Sequence, residues 1–433
     1  MAKRAYLGAA QAVPQVDTVT LADTWATGDT ITLTINYKSL TLTVGTDATF
    51  ATILDNLVAM LSGSGSLSAA YTVTGYGNTI GEFAQLSYTE DGTSVLTVTG
   101  KSDGRPFTMT ASEVTAGDGT ATRASDTSPT GPHHFDNPDN WTANTVPVDG
   151  DDIIFDERAA NDMLYALDQS ANVDPGSVET RPGFSKKIGL PSVCLDTQNY
   201  PFDEYLEQFF KFQDSAGTCD VTINSPKSTR IQIDANTGQA TFLVKSTGGR
   251  VDSQLPPCLL KGTHPSNAAT IQKGDVGFAL APEETTTLST LNMSYYGNKN
   301  KDVLVECGSG VTLGTVTKTG GQLITNCAIG TALTQTGGDW IHYDGAVASA
   351  TLYAGQMLYR ASSTIDALIV GAQGIADFSE GTSRTVTTCT VVKGYTIKDP
   401  IGTVTWTNGI ACTHNRLEEG TLESAPNLTW TPS

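Results

Sequence analysis

The side chains that could do chemistry in this sequence are mostly carboxylates. Asp339, Asp344, Asp366, Asp377, Glu380 and Asp399 crowd into its C-terminal third. Two carboxylates held about 5 to 9.5 Å apart across a sugar would make a glycosidase pair. Asp399, however, precedes Pro400, and Asp377 precedes Phe378-Ser379. These are settings in which Asp accepts backbone hydrogen bonds in a turn, and the six are read as turn residues. His133-His134 with Asp136 and Asp139 offers metal ligands, but two more defined ligands are missing from a zinc set. Gly117-Asp118-Gly119 and Asp149-Gly150-Asp151-Asp152 have the look of calcium-loop fragments without the spaced oxygens of an EF-hand. Phosphate-binding loops, nucleophile elbows and zinc-protease helices are absent from the sequence. Trp340, Tyr343, Tyr353 and Tyr359 would suit either a glycan- or protein-binding stripe or core filling, and core filling is the preferred reading. The sequence therefore assigns no catalytic residue, no cofactor-binding residue and no metal ligand. The expectation is a protein that is not an enzyme and carries no cofactor.

Composition points to the elements that must carry these residues. Thr, Ser and Gly dominate, and only 16% of residues are charged, against about 25% in an average domain. Helix-forming Lys, Glu and Arg are scarce, whereas Thr and Val suit a pleated, half-buried surface. The formal charge is −20, with −5 on residues 1–125 and −15 on the rest. A chain this acidic repels phosphate backbones and anionic headgroups, so neither nucleic acid nor membrane is expected as a partner. The first residues show no signal peptide, and no 18-residue apolar run follows, which predicts synthesis and folding in a cytosol. Seven cysteines, from Cys194 to Cys412, form no Cys-x-x-Cys pair, so buried reduced thiols are expected.

Strict alternation at 30–35 and 40–44 predicts two strands joined by a turn at Asn36-Tyr37-Lys38. Phe50, Ile53, Leu54, Leu57, Val58 and Leu61 form one helical stripe, with Thr46 or Asp47 as cap and Ser62-Gly63 as stop. Strands at 83–88, 94–99 and 107–111 complete an α+β docking domain over 1–115. Residues 116–133, rich in Gly, Ser, Thr and Pro, read as a linker. Residues 134–214, with Asn140-Trp141 and the aromatic run 205–212, read as a capping or transition region. Beyond them lies the strongest internal signal. Gly321, Gly338, Gly355, Gly374 and Gly394 recur at spacings of 17 to 20 residues, the length of one coil of a parallel β-helix with three short strands. Cys307 and Cys327, and likewise Cys389 and Cys412, would stack one coil apart. The fold class is thus mainly β: a small N-terminal α+β domain followed by a parallel β-helix over 215–433 with a C-terminal cap.

Several segments resemble a family of uncharacterised virion proteins of tailed phages and prophages. They include Thr24-Trp25-Ala26, Gly28-Asp29-Thr30, Asn140-Trp141, Ile188-Gly189-Leu190-Pro191, Leu260-Lys261-Gly262-Thr263-His264, Gly308-Ser309-Gly310-Val311-Thr312-Leu313 and Thr407-Asn408-Gly409-Ile410. The resemblance brings no catalytic motif. It implies a bacteriophage structural protein made in the host cytoplasm and carried on the virion. The leading expectation is a capsid decoration (cement) protein, a homotrimer on the capsid surface whose partner is the major capsid protein. The alternative is a receptor-binding tail fibre or tailspike, with or without glycan binding.

Overall fold

Alternation of apolar and polar residues along short Thr/Val-rich strands leaves one face of each strand needing cover, and here the next coil of the chain supplies the neighbouring strand. The computed structural model describes residues 2–36, 38–63, 66–68, 70–75, 83–189, 209–213, 217–225, 229–248, 255–294, 303–412 and 420–424. It is mainly β, with a parallel β-solenoid of about 11 turns after a small N-terminal domain. At the coil spacing of about 4.8 Å the solenoid is roughly 50 Å long.

The first strand, β1 (Lys3–Ala5), belongs to the solenoid and not to the N-terminal domain. The domain is inserted after it. Its strands are β2 (Val16–Ala22), β3 (Thr30–Ile35), β4 (Lys38–Thr43), β5 (Thr72–Gly75), β6 (Ser87–Glu90), β7 (Val95–Thr99), β8 (Met109–Val114) and β9 (Thr120–Thr127). They form two four-stranded sheets, ordered β6-β7-β2-β9 and β5-β4-β3-β8. Helix α1 (Phe50–Ser62) packs Ile53, Leu54, Leu57 and Leu61 against them, in a core separate from that of the solenoid. Its N-cap is Thr49, in place of the expected Thr46 or Asp47. Thr49 is the residue whose hydroxyl reaches a free N–H of the first turn, that of Thr52.

Two expectations about boundaries change. Within 116–133, β9 pairs with β2 along most of its length, so this stretch is not a linker. Residues 134–214 are not merely a cap, because β10 (Asp152–Phe155) and β11 (Ser177–Thr180) continue the parallel stack from β1. Two chain segments therefore cross between domain and solenoid. They are tied by an antiparallel bridge between Val13 and Thr130. Asn140 reinforces the neck: its Oδ1 accepts from the Ala10 amide at 2.9 Å, and its Nδ2 donates to Gly131 O at 2.8 Å and to His134 O at 2.7 Å. Of the aromatic run, Phe210–Gln213 is a strand, and 205–208 lie outside the described residues.

Through most of the solenoid a strand pairs with the one two further along, so each coil feeds two parallel stacks. One stack is bent. Arg384–Val391 pairs with Val404–Trp406 through one half and with Ile410–Cys412 through the other. Register shifts at Leu313/Thr315 and Ile329/Leu333 mark the same bend lower down. The expected three strands per coil are thus three segments, two of them fused in most coils. Val347–Tyr359 and Thr364–Asp377 run through the remaining corner and serve both stacks. Inside, residues of different size stack in register: Val305, Leu323, Trp340, Met357, Ala376 and Ile397 form one buried column.

The glycine series marks coils as expected: Gly355 faces Gly374, although Gly394 falls one residue out of step. Cys307 and Cys327 do meet one coil apart, their thiols within hydrogen-bonding reach, although they are not register partners, and neither are Cys389 and Cys412. Cys307 faces Thr325, and Cys389 faces Ile410. The six described cysteines form no disulfide, and all but Cys412 are buried. Cys194 lies outside the described residues.

Candidate functional site

The carboxylates singled out by sequence are dispersed among turns and margins. Asp344 accepts the Gly345 amide at 2.7 Å. Asp377 accepts both the amide and hydroxyl of Ser379, at 3.0 and 2.6 Å, and the Gln356 amide nitrogen at 3.2 Å. Asp399 is buried and takes the amides of Thr403 and Val404 at 2.8 and 3.2 Å. Glu380 is exposed and pairs with Arg360 at 2.7 Å. Asp366 is exposed on its strand, and Asp339 is half-buried where its strand begins. Asp344, Asp377 and Asp399 thus brace turns, whereas Asp339 and Asp366 lie on strands and depart from the turn reading.

The histidine pair at the neck is likewise structural. His133 Nδ1 bonds Asp162 O at 2.9 Å, while buried His134 places Nε2 at 2.8 Å from Gly104 O. Burial pushes the His134 imidazole below its ordinary range. Asp139 is exposed. Among the described residues no three His, Cys, Asp or Glu side chains converge as a metal site.

A polar thread runs inside the upper coils. Trp340 Nε1 donates to Thr325 Oγ1 at 2.8 Å, and that hydroxyl lies 2.8 Å from His342 Nδ1. His342 Nε2 is 2.7 Å from Gly345 O, which also accepts from Ser363 Oγ. A carbonyl can only accept, so Nε2 carries the proton and Nδ1 accepts from Thr325. The imidazole is neutral; burial pushes its pKa to about 4. It lies 5.4 Å from the Trp340 ring and 4.8 Å from that of Tyr359. Trp340 and Tyr359 thus fill the core, as expected, whereas Tyr343 and Tyr353 are exposed. Nearby, Lys318 is fully buried, and its ammonium donates to Gly337 O at 2.7 Å.

One surface cavity, of about 250 Å³, opens on the side of the solenoid between Asp234, Asn236, Lys261, Gly262, Thr263, Glu283, Glu284 and Thr285. Lys261 Nζ lies 3.3 Å from Asp234 and 3.9 Å from Glu284. The two carboxylate oxygens are therefore no more than about 7 Å apart, bridged by one ammonium. Both also serve turns: Asp234 accepts the Asn236 amide at 3.1 Å, and Glu284 accepts the Ala281 amide at 3.2 Å. Sequence reasoning missed this group. Asp234 and Lys261 are register partners in successive coils, a relation visible only once the coil length at that point is known. Comparison with protein-family models, with curated proteins and with solved structures returns no match to this chain.

Proposed function

We propose that this protein is a structural component of a tailed-phage virion, a capsid decoration protein that binds the major capsid protein on the head exterior as a homotrimer and acts by binding without catalysis. The observation that carries this reading is the architecture: a continuous stack of coils bearing one inserted domain on a hydrogen-bonded two-segment neck. Such a body is a stiff spacer with a separate docking unit. A standard interface buries roughly 1,600 Å², and repeated across capsid junctions it would brace a shell against internal DNA pressure. The charge of −20 favours an exterior position over a genome-facing one. No helix among the described residues is long and apolar enough to cross a membrane. The test is to strip the protein from particles and compare head stability with host adsorption. Heads that lose resistance to heat and chelator support the cement role. Heads that stay stable while particles stop binding cells replace it with a tail fibre or tailspike. That second reading is favoured by the polar cavity at Asp234, Lys261 and Glu284, whose donors and acceptors suit sugar hydroxyls.

A further inference from the structure

On the bent stack, two adjacent columns of outward side chains climb seven strands, from Ala268–Ile271 to Arg384–Val391, without one charged residue. Thr290 stacks beneath Thr315 in one column; Asn292, Thr317, Thr334 and Thr351 follow one another in the other. All are exposed or half-buried. Charges occur only at the margins of this strip, where Lys245 and Asp366 are exposed. The opposite stack differs: its outward positions include Asp275, Glu306, Asp339, Asp377 and Lys398.

We infer that this threonine strip is where copies of the chain meet, the contact surface of the homotrimer. The inference rests on the trimer proposed above and adds its location. Two arguments select a second copy as the occupant. Identical chains of charge −20 repel one another, and close contact between them is least opposed where charge is absent. Further, rows of hydroxyls and methyls repeating every 4.8 Å or so match another surface of the same period. A second copy has that period by construction. The strip is about 30 Å long on this spacing.

The experiment uses the full-length protein. Light scattering is expected to give three times the 45.5 kDa chain mass for the parent protein and for Gln322→Glu, which places its charge on the opposite stack. Thr317→Glu with Thr334→Glu should give the single-chain mass with unchanged β circular dichroism. As a check that does not depend on that variant folding, Thr334→Cys should form an interchain disulfide on mild oxidation by diamide, and Gln322→Cys should not. A parent trimer that persists in the double Glu variant, or that cross-links only through Gln322→Cys, overturns the location while leaving the trimer intact. A parent protein of single-chain mass overturns both.

Discussion

His342 sets how the solenoid interior responds to acid. Its folded pKa lies at about 4, against 6.5 for a free imidazole. Between those values the unfolded chain binds the proton and the folded chain does not, so stability falls as pH drops from about 6.5 towards 4. Melting curves across that window should show the loss, and His342→Met should flatten it. At neutral pH the same variant should cost about 1–3 kcal/mol, because it strands the Thr325 hydroxyl and Gly345 carbonyl. Lys318 acts at the other side of neutrality. Burial pushes its ammonium from 10.5 to about 7. The unfolded lysine holds its proton to higher pH, so this residue makes the fold more stable as pH rises above 7. The effect is best measured below pH 9, before ionisation of unfolded cysteines opposes it; buried Cys258 and Cys389 are pushed up to about 12. Lys318→Met should stabilise the protein by about 1–2 kcal/mol at pH 7 and remove that slope, since an apolar side chain of similar volume suits the site. Loss of the bond to Gly337 O is the smaller, opposing effect. An unchanged or lower melting temperature would contradict this. None of these interior roles was legible in sequence. Lys318, Thr325 and His342 belong to strands whose inward face is set by coil register, and nothing local separates an inward Thr from an outward one.

Turns and corners, more than strands, decide which substitutions the solenoid tolerates. Gly338 has φ of 72°, and a Cβ there would sit 2.2 Å from Gly321 O in the coil beneath. Gly338→Ala should therefore destabilise by more than about 3 kcal/mol, measured as a drop in denaturation midpoint. The carboxylates divide the same way. Asp399→Ala removes a buried acceptor of two backbone amides and should destabilise by about 2 kcal/mol, whereas exposed Asp366→Ala should stay within about 0.5 kcal/mol. The elements most legible in sequence were those with a local signature. The helix showed its stripe, β3 and β4 their alternation, and the upper coils their recurrent glycines. β9 escaped because only Ala121 along it is buried, so it carries no period-2 apolar signal. β1 is three residues long and begins Lys3-Arg4. The early coils hid for another reason: Asp152–Phe155, Ser177–Thr180 and Thr218–Asn224 stack together although 25 and about 40 residues separate them. Unequal corner loops also separated cysteine spacing from cysteine register.

At the scale of the molecule, a solenoid is held by contacts between neighbouring coils, so damage should spread only a short way. Tyr6 is buried against Trp141, ring to ring at 5.4 Å, and its hydroxyl donates to Pro132 O at 2.6 Å. Tyr6→Ala should cost about 3–5 kcal/mol locally. Hydrogen exchange should then rise in 152–180 while 311–399 stay as protected as before; a uniform rise along the rod would refute this nearest-neighbour behaviour. The same end of the rod also fixes an order in time. Arg4, in the first strand, pairs with Asp151, which lies 147 residues later in the chain. At 5–20 residues per second a ribosome takes roughly 7 to 30 s to supply that partner. During this interval the inserted domain has already emerged whole and can close its own sheets, while the opening residues wait unpaired at its side. Its closure brings the two neck segments together, which returns the waiting strand to the place where Asp152–Phe155 next emerges. On that order of events, the inserted domain is expected to act as the foundation from which the rod is laid down, coil upon coil, in the direction of synthesis.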